Sequence, residues 1–251
     1  MFIQLIAQQI RIIDILIIPR KIFMKCKVLG LAALLALTGC GSSAPVVPGN
    51  EISKEDFDKD ANVKHVLLES NCHVDLAMTI VGSDQPMMYA KSMDMDNSKM
   101  KMSYTQVVQP VYFDFDETQT SESSYSFDVY STIDDASTVY KVTHYKNKSI
   151  DNGFMALTQV MQYTSGYSID YPVGMSFSDF TFVNGVYKSE KEMKFGAYDI
   201  NDFEISVKDN HFQQIYIAYS TDVTGSLVRI TSTFTFSRFG QVSVTLPEVP
   251  Q

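Results

Sequence analysis

The sequence predicts an α+β fold: a curved antiparallel β-sheet, an open half-barrel, with one or two helices covering its inner face. Three observations predict it. From residue 72 onward, apolar residues recur at every second position in run after run, the period of a half-buried strand. Short polar connections of hairpin length join these runs, so successive strands pair antiparallel. Nearly every run has one apolar and one polar side, and a helical pattern precedes the first. A sheet that is apolar on one face has to bury that face.

The elements follow in order. Residues 53–70, SKEDFDKDANVKHVLLES, predict a helix. Ser53 is placed to cap it, Glu55 and Asp56 put negative charge in the first turn, and Phe57, Val63, Val66 and Leu67 form one apolar stripe. In CHVDLAMTI the period changes to two, with Val74, Leu76, Met78 and Ile80 alternating with His73, Asp75, Ala77 and Thr79. Gly82 to Pro86 signals a turn, and residues 87–95 form the next strand. Asp96-Asn97-Ser98 turns into KMKMSYTQ, which places Met100, Met102 and Tyr104 on one face. VYFDFD, YSFDVY and TVYKVTHY continue as strands, joined by polar connections.

A second helix is expected over about 152–164, where Phe154, Leu157, Val160 and Met161 share a face; a strand at 154–157 competes with it. Asn184-Gly185 signals a tight hairpin turn, and Asp209-Asn210 turns FEISVKDNHFQQIYIAYS. In the last unit Val228, Ile230, Phe234 and Phe236 alternate with polar residues, Gly240 turns, and VSVTL ends before Pro247. The total is roughly nine to eleven strands by the period-two template. No repeat or domain-splitting linker interrupts residues 51–251, which are expected to form a single domain.

Composition supports a packed body. Hydrophobic residues make up 45% of the chain and charged residues 20%; Trp is absent, but 16 Phe and 14 Tyr can fill a core. Of the 20 Lys and Arg and 29 Asp and Glu, five bases and one acid precede Cys40, so the remainder is strongly acidic. Such a body repels nucleic acid and anionic head groups at long range, which excludes nucleic-acid partners. Cys26, Cys40 and Cys72 cannot all pair with one another, and Cys72 opens an apolar alternation, so buried packing is its expected role.

The sequence holds no catalytic constellation, and a non-enzymatic protein without a cofactor is expected. His65, His73, His144 and His211 show no ligand spacing for zinc. Asp56-Phe-Asp58-Lys-Asp60 and Asp94-Met-Asp96-Asn-Ser98 resemble calcium loops but lack the Gly at the sixth position and the Glu at the twelfth. The first is better explained as an acidic helix start and the second as a turn. Gly174-Met-Ser176-Phe-Ser178 lacks the second Gly of a serine-nucleophile elbow. Asp114 and Asp116 share one face of a strand and suit a solvated surface. One bias remains: Met is frequent on the apolar strand faces, at Met78, Met87 or Met88, Met93, Met95, Met100 and Met102. It suits an ordinary core and also an adaptable binding surface.

The N-terminal segment carries a targeting pattern. From Met24, MKCKVLGLAALLALTGC has a short basic start (Lys25, Lys27) and then an apolar run over 28–37 that is too short to span a bilayer. Leu37-Thr38-Gly39-Cys40 then resembles the lipobox of bacterial lipoprotein precursors. The resemblance implies cleavage before Cys40 and a diacylglyceryl group on its thiol. Residues 1–39 are thus expected to be a signal peptide, with 1–23 either an upstream extension of the reading frame or a long n-region. Residues 40–50, small and Pro-containing, read as a lipid-anchored flexible tether. The expected address is the extracytoplasmic face of the cell membrane.

The body resembles LolA/LppX-type lipoproteins of Gram-positive bacteria. The likeness lies in a helix after the tether, in FVNGVYKSEKEMKF before the hairpin FEISVKDNHFQQIYIAY, and in the ending TFTFSRFGQVSVTLPEVP. It implies a half-barrel closed by helices around an apolar cavity that binds a lipid or another hydrophobic molecule. The candidate lining on the apolar strand faces is Leu76, Met78, Met100, Met102, Tyr104, Phe127, Ile215, Ile217, Ile230 and Phe234. The alternative is a structural or interaction module of the cell envelope whose core is filled.

Overall fold

The computed structural model describes residues 46–81, 87–104, 107–116, 124–133, 138–149, 174–195, 198–223 and 226–249. Two short helices, α1 (Lys54–Ala61) and α2 (Val63–Leu68), precede the strands β1 (Asn71–Val81), β2 (Met87–Asp96), β3 (Lys99–Tyr104), β4 (Val107–Phe115), β5 (Ser124–Ile133) and β6 (Thr138–Ser149). A single 3-10 turn (Phe177–Asp179) leads into β7 (Phe180–Val183), β8 (Val186–Ser189), β9 (Lys194–Phe195), β10 (Tyr198–Lys208), β11 (His211–Val223) and β12 (Ser226–Ser237).

The strands form one large open antiparallel sheet in the order β6-β5-β4-β3-β2-β1-β12-β11-β10-β8-β7, with β9 pairing on β10 beside this path. Two meanders are joined where the first and last strands meet, Val74 opposite Phe236 and Leu76 opposite Phe234. The hairpin turns expected at Asn97, at Asn184-Gly185 and at Asp209-Asn210 are present, each with positive φ. This left-handed geometry matches the right-handed twist of the paired strands, and Asn, Asp and Gly tolerate it best.

The expected single helix over 53–70 is two helices. Ser53 caps α1 as anticipated, accepting from the Asp56 N–H at 3.1 Å. Asn62 then takes an extended conformation, and its side chain accepts from the N–H groups of Lys64 (2.9 Å) and His65 (3.4 Å). An Asn side chain that satisfies free amide donors in this way competes with continuation of the helix and starts a new one. The apolar stripe survives the break: Phe57, Val63, Val66 and Leu67 are all buried.

One main core cluster joins these helical residues to the inward side chains of β1–β5, β7, β8 and β10–β12. Phe57 is its anchor at one end, fully buried, with ring centroids of Phe212, Tyr187, Phe180 and Phe177 at 5.0, 5.1, 5.4 and 5.5 Å. The Ile52 N–H donates to the Tyr187 hydroxyl at 2.8 Å, which fixes where the chain enters α1. The helix expected over 152–164 lies outside the described residues.

On the opposite, outer face two buried apolar clusters interrupt the polar pattern. Val46 packs on Val186, Tyr216 and Ala218, and Val242 and Val244 pack on Tyr112. The expected terminal strand VSVTL is instead an extended tail. Side chains satisfy its backbone: Asn71 accepts from the Val242 N–H and donates to the Val242 carbonyl, and Asp96 accepts from the Val244 N–H.

Candidate functional site

Alternation puts the candidate lining on one face, and register aligns it into rows. Tyr187, Ile205, Ile215, Phe234 and Leu76 stand opposite one another across β8, β10, β11, β12 and β1. Phe203, Ile217, Ser232 and Met78 form the next row. Cys72, Met95, Met100, Phe113 and Val129 form a third row at the other side of the sheet. Leu76, Met100, Met102, Phe127, Ile215, Ile217, Ile230 and Phe234 are all buried in the main cluster, and Met78 is partly buried against it. Tyr104 ends β3, and its side chain lies outside the described residues. Leu37, Thr38, Gly39 and Cys40 also lie outside them.

The face is not wholly apolar. Lys91 stands opposite Leu76 in β1, shares the parity of Met93 and Met95 on β2, and is buried at 8% exposure. It is the one charged side chain among the buried described residues. Ser131 and Ser232, 2% and 1% exposed, place hydroxyls in the same layer, and neither Oγ has a hydrogen-bond partner. A buried hydroxyl left unsatisfied costs about 1–3 kcal/mol, so such groups are rare in a core that only has to be stable. In MMYAKSMDMD, Lys91 has the parity of Met93 and Met95, so the alternation alone puts its side chain on their face.

Two concavities border this layer. One, of about 220 Å³, lies where α1 and α2 meet the sheet, and Asp60, His65, Glu69, Cys72, His211 and Phe239 are among its lining. Asp60 accepts from the Phe212 N–H at 2.8 Å and lies 3.5 Å from His211 Nδ1. His65 Nδ1 is 2.9 Å from Glu69, and the His211 ring stacks on Phe239 at 4.6 Å. Burial raises the Asp60 carboxyl above the ordinary range, against the lowering influence of the Phe212 N–H and His211. Burial also pushes the Cys72 thiol up to about 12, with Asp60 adding to the effect. At neutral pH this sulfur is a packed thiol, as its place in the sequence suggested, and a poor nucleophile.

The other concavity, of about 530 Å³, is more open and lies along β4–β6, bordered by Phe115, Phe127 and Tyr145 and by Asp114, Asp116, Asp128, His144 and Lys146. Phe127 is the candidate residue that borders it. The Phe115 and Phe127 ring centroids are 5.3 Å apart, and Phe127 stacks on Tyr145 at 5.0 Å.

The acidic runs resolve into separate structural roles. Asp56 bonds to Ser53, Asp58 accepts from the Phe177 N–H at 2.9 Å, and Asp60 binds Phe212. Asp94 pairs with His73 and Arg238, and Asp96 holds Asn71 and the tail. Ser176 precedes the 3-10 turn, where its N–H donates to Asp179 at 3.1 Å. Among the described residues no group of three or more His, Cys, Asp or Glu side chains is arranged to hold a metal ion. The convergence of His65 and His211 beside Asp60 left no trace in the spacing, because a distant hairpin brings His211 to α1.

No family model matches the chain, and no curated protein matches it. Among solved structures it is similar to a DUF1329 family protein from Desulfovibrio piger, at 10% identity and a TM-score of 0.32, over 78% of this chain and 95% of that one. Among the described residues no helix is long and apolar enough to cross a membrane.

Proposed function

We propose that this protein is a membrane-anchored extracytoplasmic lipoprotein whose half-barrel sheet binds a lipid or another hydrophobic ligand on its inner, helix-covered face, without catalysis. The observation that carries the binding role is the composition of that face. It is a Met-rich apolar layer (Met93, Met95, Met100 and Met102 all at most 3% exposed) with a few polar points at Lys91, Ser131 and Ser232. Ligand sites are built this way, mostly apolar with a small number of placed polar groups, and Met lets the layer repack around a guest. Lys91 suits an anionic head group. The membrane address rests on Leu37-Thr38-Gly39-Cys40 and the apolar run before it.

A second reading, a filled envelope module that displays its acidic surface to a partner, is favoured by the tightness of the layer's centre. Met102, Ile215, Ile217 and Phe234 have no exposed surface. Titration with a fluorescent fatty acid separates the two. The binding reading expects saturable uptake by a soluble form beginning at residue 41, and weaker uptake of the acid, but not of the matching fatty alcohol, by Lys91→Met. No saturable uptake of either probe supports the filled module.

A further inference from the structure

Residues 46–50 are not a free tether. Val46 is buried against Val186, Tyr216 and Ala218 on the outer face, and the Val47 N–H donates to Gln214 Oε1 at 3.0 Å. The Gly49 N–H donates to the Gly185 carbonyl at 2.7 Å and the Asn50 N–H to the Val207 carbonyl at 2.9 Å. Two residues later Ile52 belongs to the core on the inner face. The segment is therefore a strap that passes from one face of the sheet to the other between the start of β8 and the end of β10. Gly49 is required there: a Cβ would lie 2.0 Å from the Val207 carbonyl oxygen. Gly185 is confined less tightly, since its Cβ would lie 2.8 Å from Pro48 Cβ.

Five residues, 41–45, separate Cys40 from the docked Val46. A fully extended chain advances about 3.3–3.6 Å per residue, so the Cα of Val46 stays within about 22 Å of the Cα of the anchored cysteine. From β11, which Val46 covers, six inter-strand steps lead to β5. At about 4.8 Å per step that is roughly 29 Å measured along the sheet, so the linker ties the anchor to the β11 side of the sheet and not to the β5 side. Beside the strap the surface is apolar: Val47 and Val183 are 51% and 43% exposed, and Val183 pairs with Val186 across the β7–β8 hairpin. Elsewhere the outer face is charged rather than apolar, with Asp75, Asp94, Asp114 and Asp128 set among Lys99 and Lys101, and so offers the bilayer no comparable apolar contact.

We infer that the docked strap fixes the orientation of the body on the membrane, with the β7–β8 edge around Val47 and Val183 against the lipid surface and the β5–β6 edge held away from it. This rests on lipidation of Cys40, the anchoring part of the function proposed above. The inner face then opens sideways to the bilayer rather than lying flat upon it.

The test uses the full chain processed and acylated in a bacterial host, with a donor dye on Val183→Cys or Lys146→Cys, in phosphatidylcholine–phosphatidylglycerol vesicles that contain a rhodamine lipid. Intact mass first reads the acyl group on Cys40. A protein without it overturns the anchoring reading and this inference together. With the acyl group present, energy transfer from position 183 is expected to exceed that from position 146 severalfold. Gly49→Val, which releases the strap and lengthens the linker, is expected to bring the two positions close to equal. Equal transfer in the parent protein, or a difference unchanged by Gly49→Val, overturns the orientation while leaving the anchor intact. Circular dichroism of Gly49→Val checks that the sheet is retained; if it is lost, Pro48→Gly with Val46→Ser provides the release instead.

Discussion

The two faces of the sheet are built by different rules. The inner face is made by the strands themselves: each contributes every second residue, and register aligns these into rows such as Ile205, Ile215, Phe234 and Leu76. The outer face is mostly polar by the same alternation, and its two buried apolar clusters form where other segments of the chain cross it, the strap on Tyr216 and Ala218 and the tail on Tyr112. Even these two differ. Backbone bonds, the Gln214 side chain and a sterically obligatory glycine hold the strap, whereas the side chains of Asn71 and Asp96 bond the backbone of the tail at Val242 and Val244. Local periodicity thus specifies one face, and distant partners specify the exceptions on the other.

If the inner face carries the fold, its anchor is the costliest to remove. Phe57→Ala is expected to lose about 3–5 kcal/mol, because a fully buried ring leaves a cavity among four aromatic neighbours. Urea denaturation measures this, and a loss under about 1 kcal/mol would place the weight of the core elsewhere. Asn71→Ala probes the outer face. It removes the bonds to Val242 and leaves amide and carbonyl groups of the tail to find water, at a cost of about 1–2 kcal/mol with β1 still paired. A loss as large as that of Phe57→Ala would erase the distinction between core and clip.

The border between the faces responds to pH. Burial raises the Asp60 carboxyl in the folded state, so the native state holds that proton more tightly than the unfolded chain. The contribution of Asp60 is then fully present below the unfolded value near 3.8 and is lost as pH rises through the higher folded value. Wild type should lose stability relative to Asp60→Asn over that interval. A pH-independent gap between the two unfolding curves contradicts this. The smallest change is kinetic. With its pKa near 12, the Cys72 thiol should label with a disulfide reagent at pH 8 only as fast as the sheet opens, and rapidly once denatured. Fast labelling of the native protein would mean that this corner of the inner face is loose.

The inner face was legible in the sequence because a period of two needs only neighbours. Val74, Leu76, Phe234 and Phe236 declared their side without any knowledge of their partners. So did the turns at Asn97, Asn184 and Asp209, where few residues tolerate the backbone. The break at Asn62 was less visible, since helix and cap compete within tenths of a kilocalorie per residue. Docking of 46–50 was hidden altogether. Small residues and proline suit a flexible tether, and Gly49 reads as freedom until Val207 is placed beside it. Lys91 is the converse case: its parity with Met93 and Met95 is plain in the sequence, and it carries a charge onto the apolar face.

Native mass spectrometry of the soluble form beginning at residue 41, which keeps the strap, tests the binding role most directly. Purified from a bacterial host without detergent, it is expected to carry a co-purifying lipid released on unfolding, and to carry less of it when Met102→Trp fills the inner face. A protein whose mass equals that of the polypeptide alone, before and after incubation with host lipid extract, would contradict the account and favour the filled module.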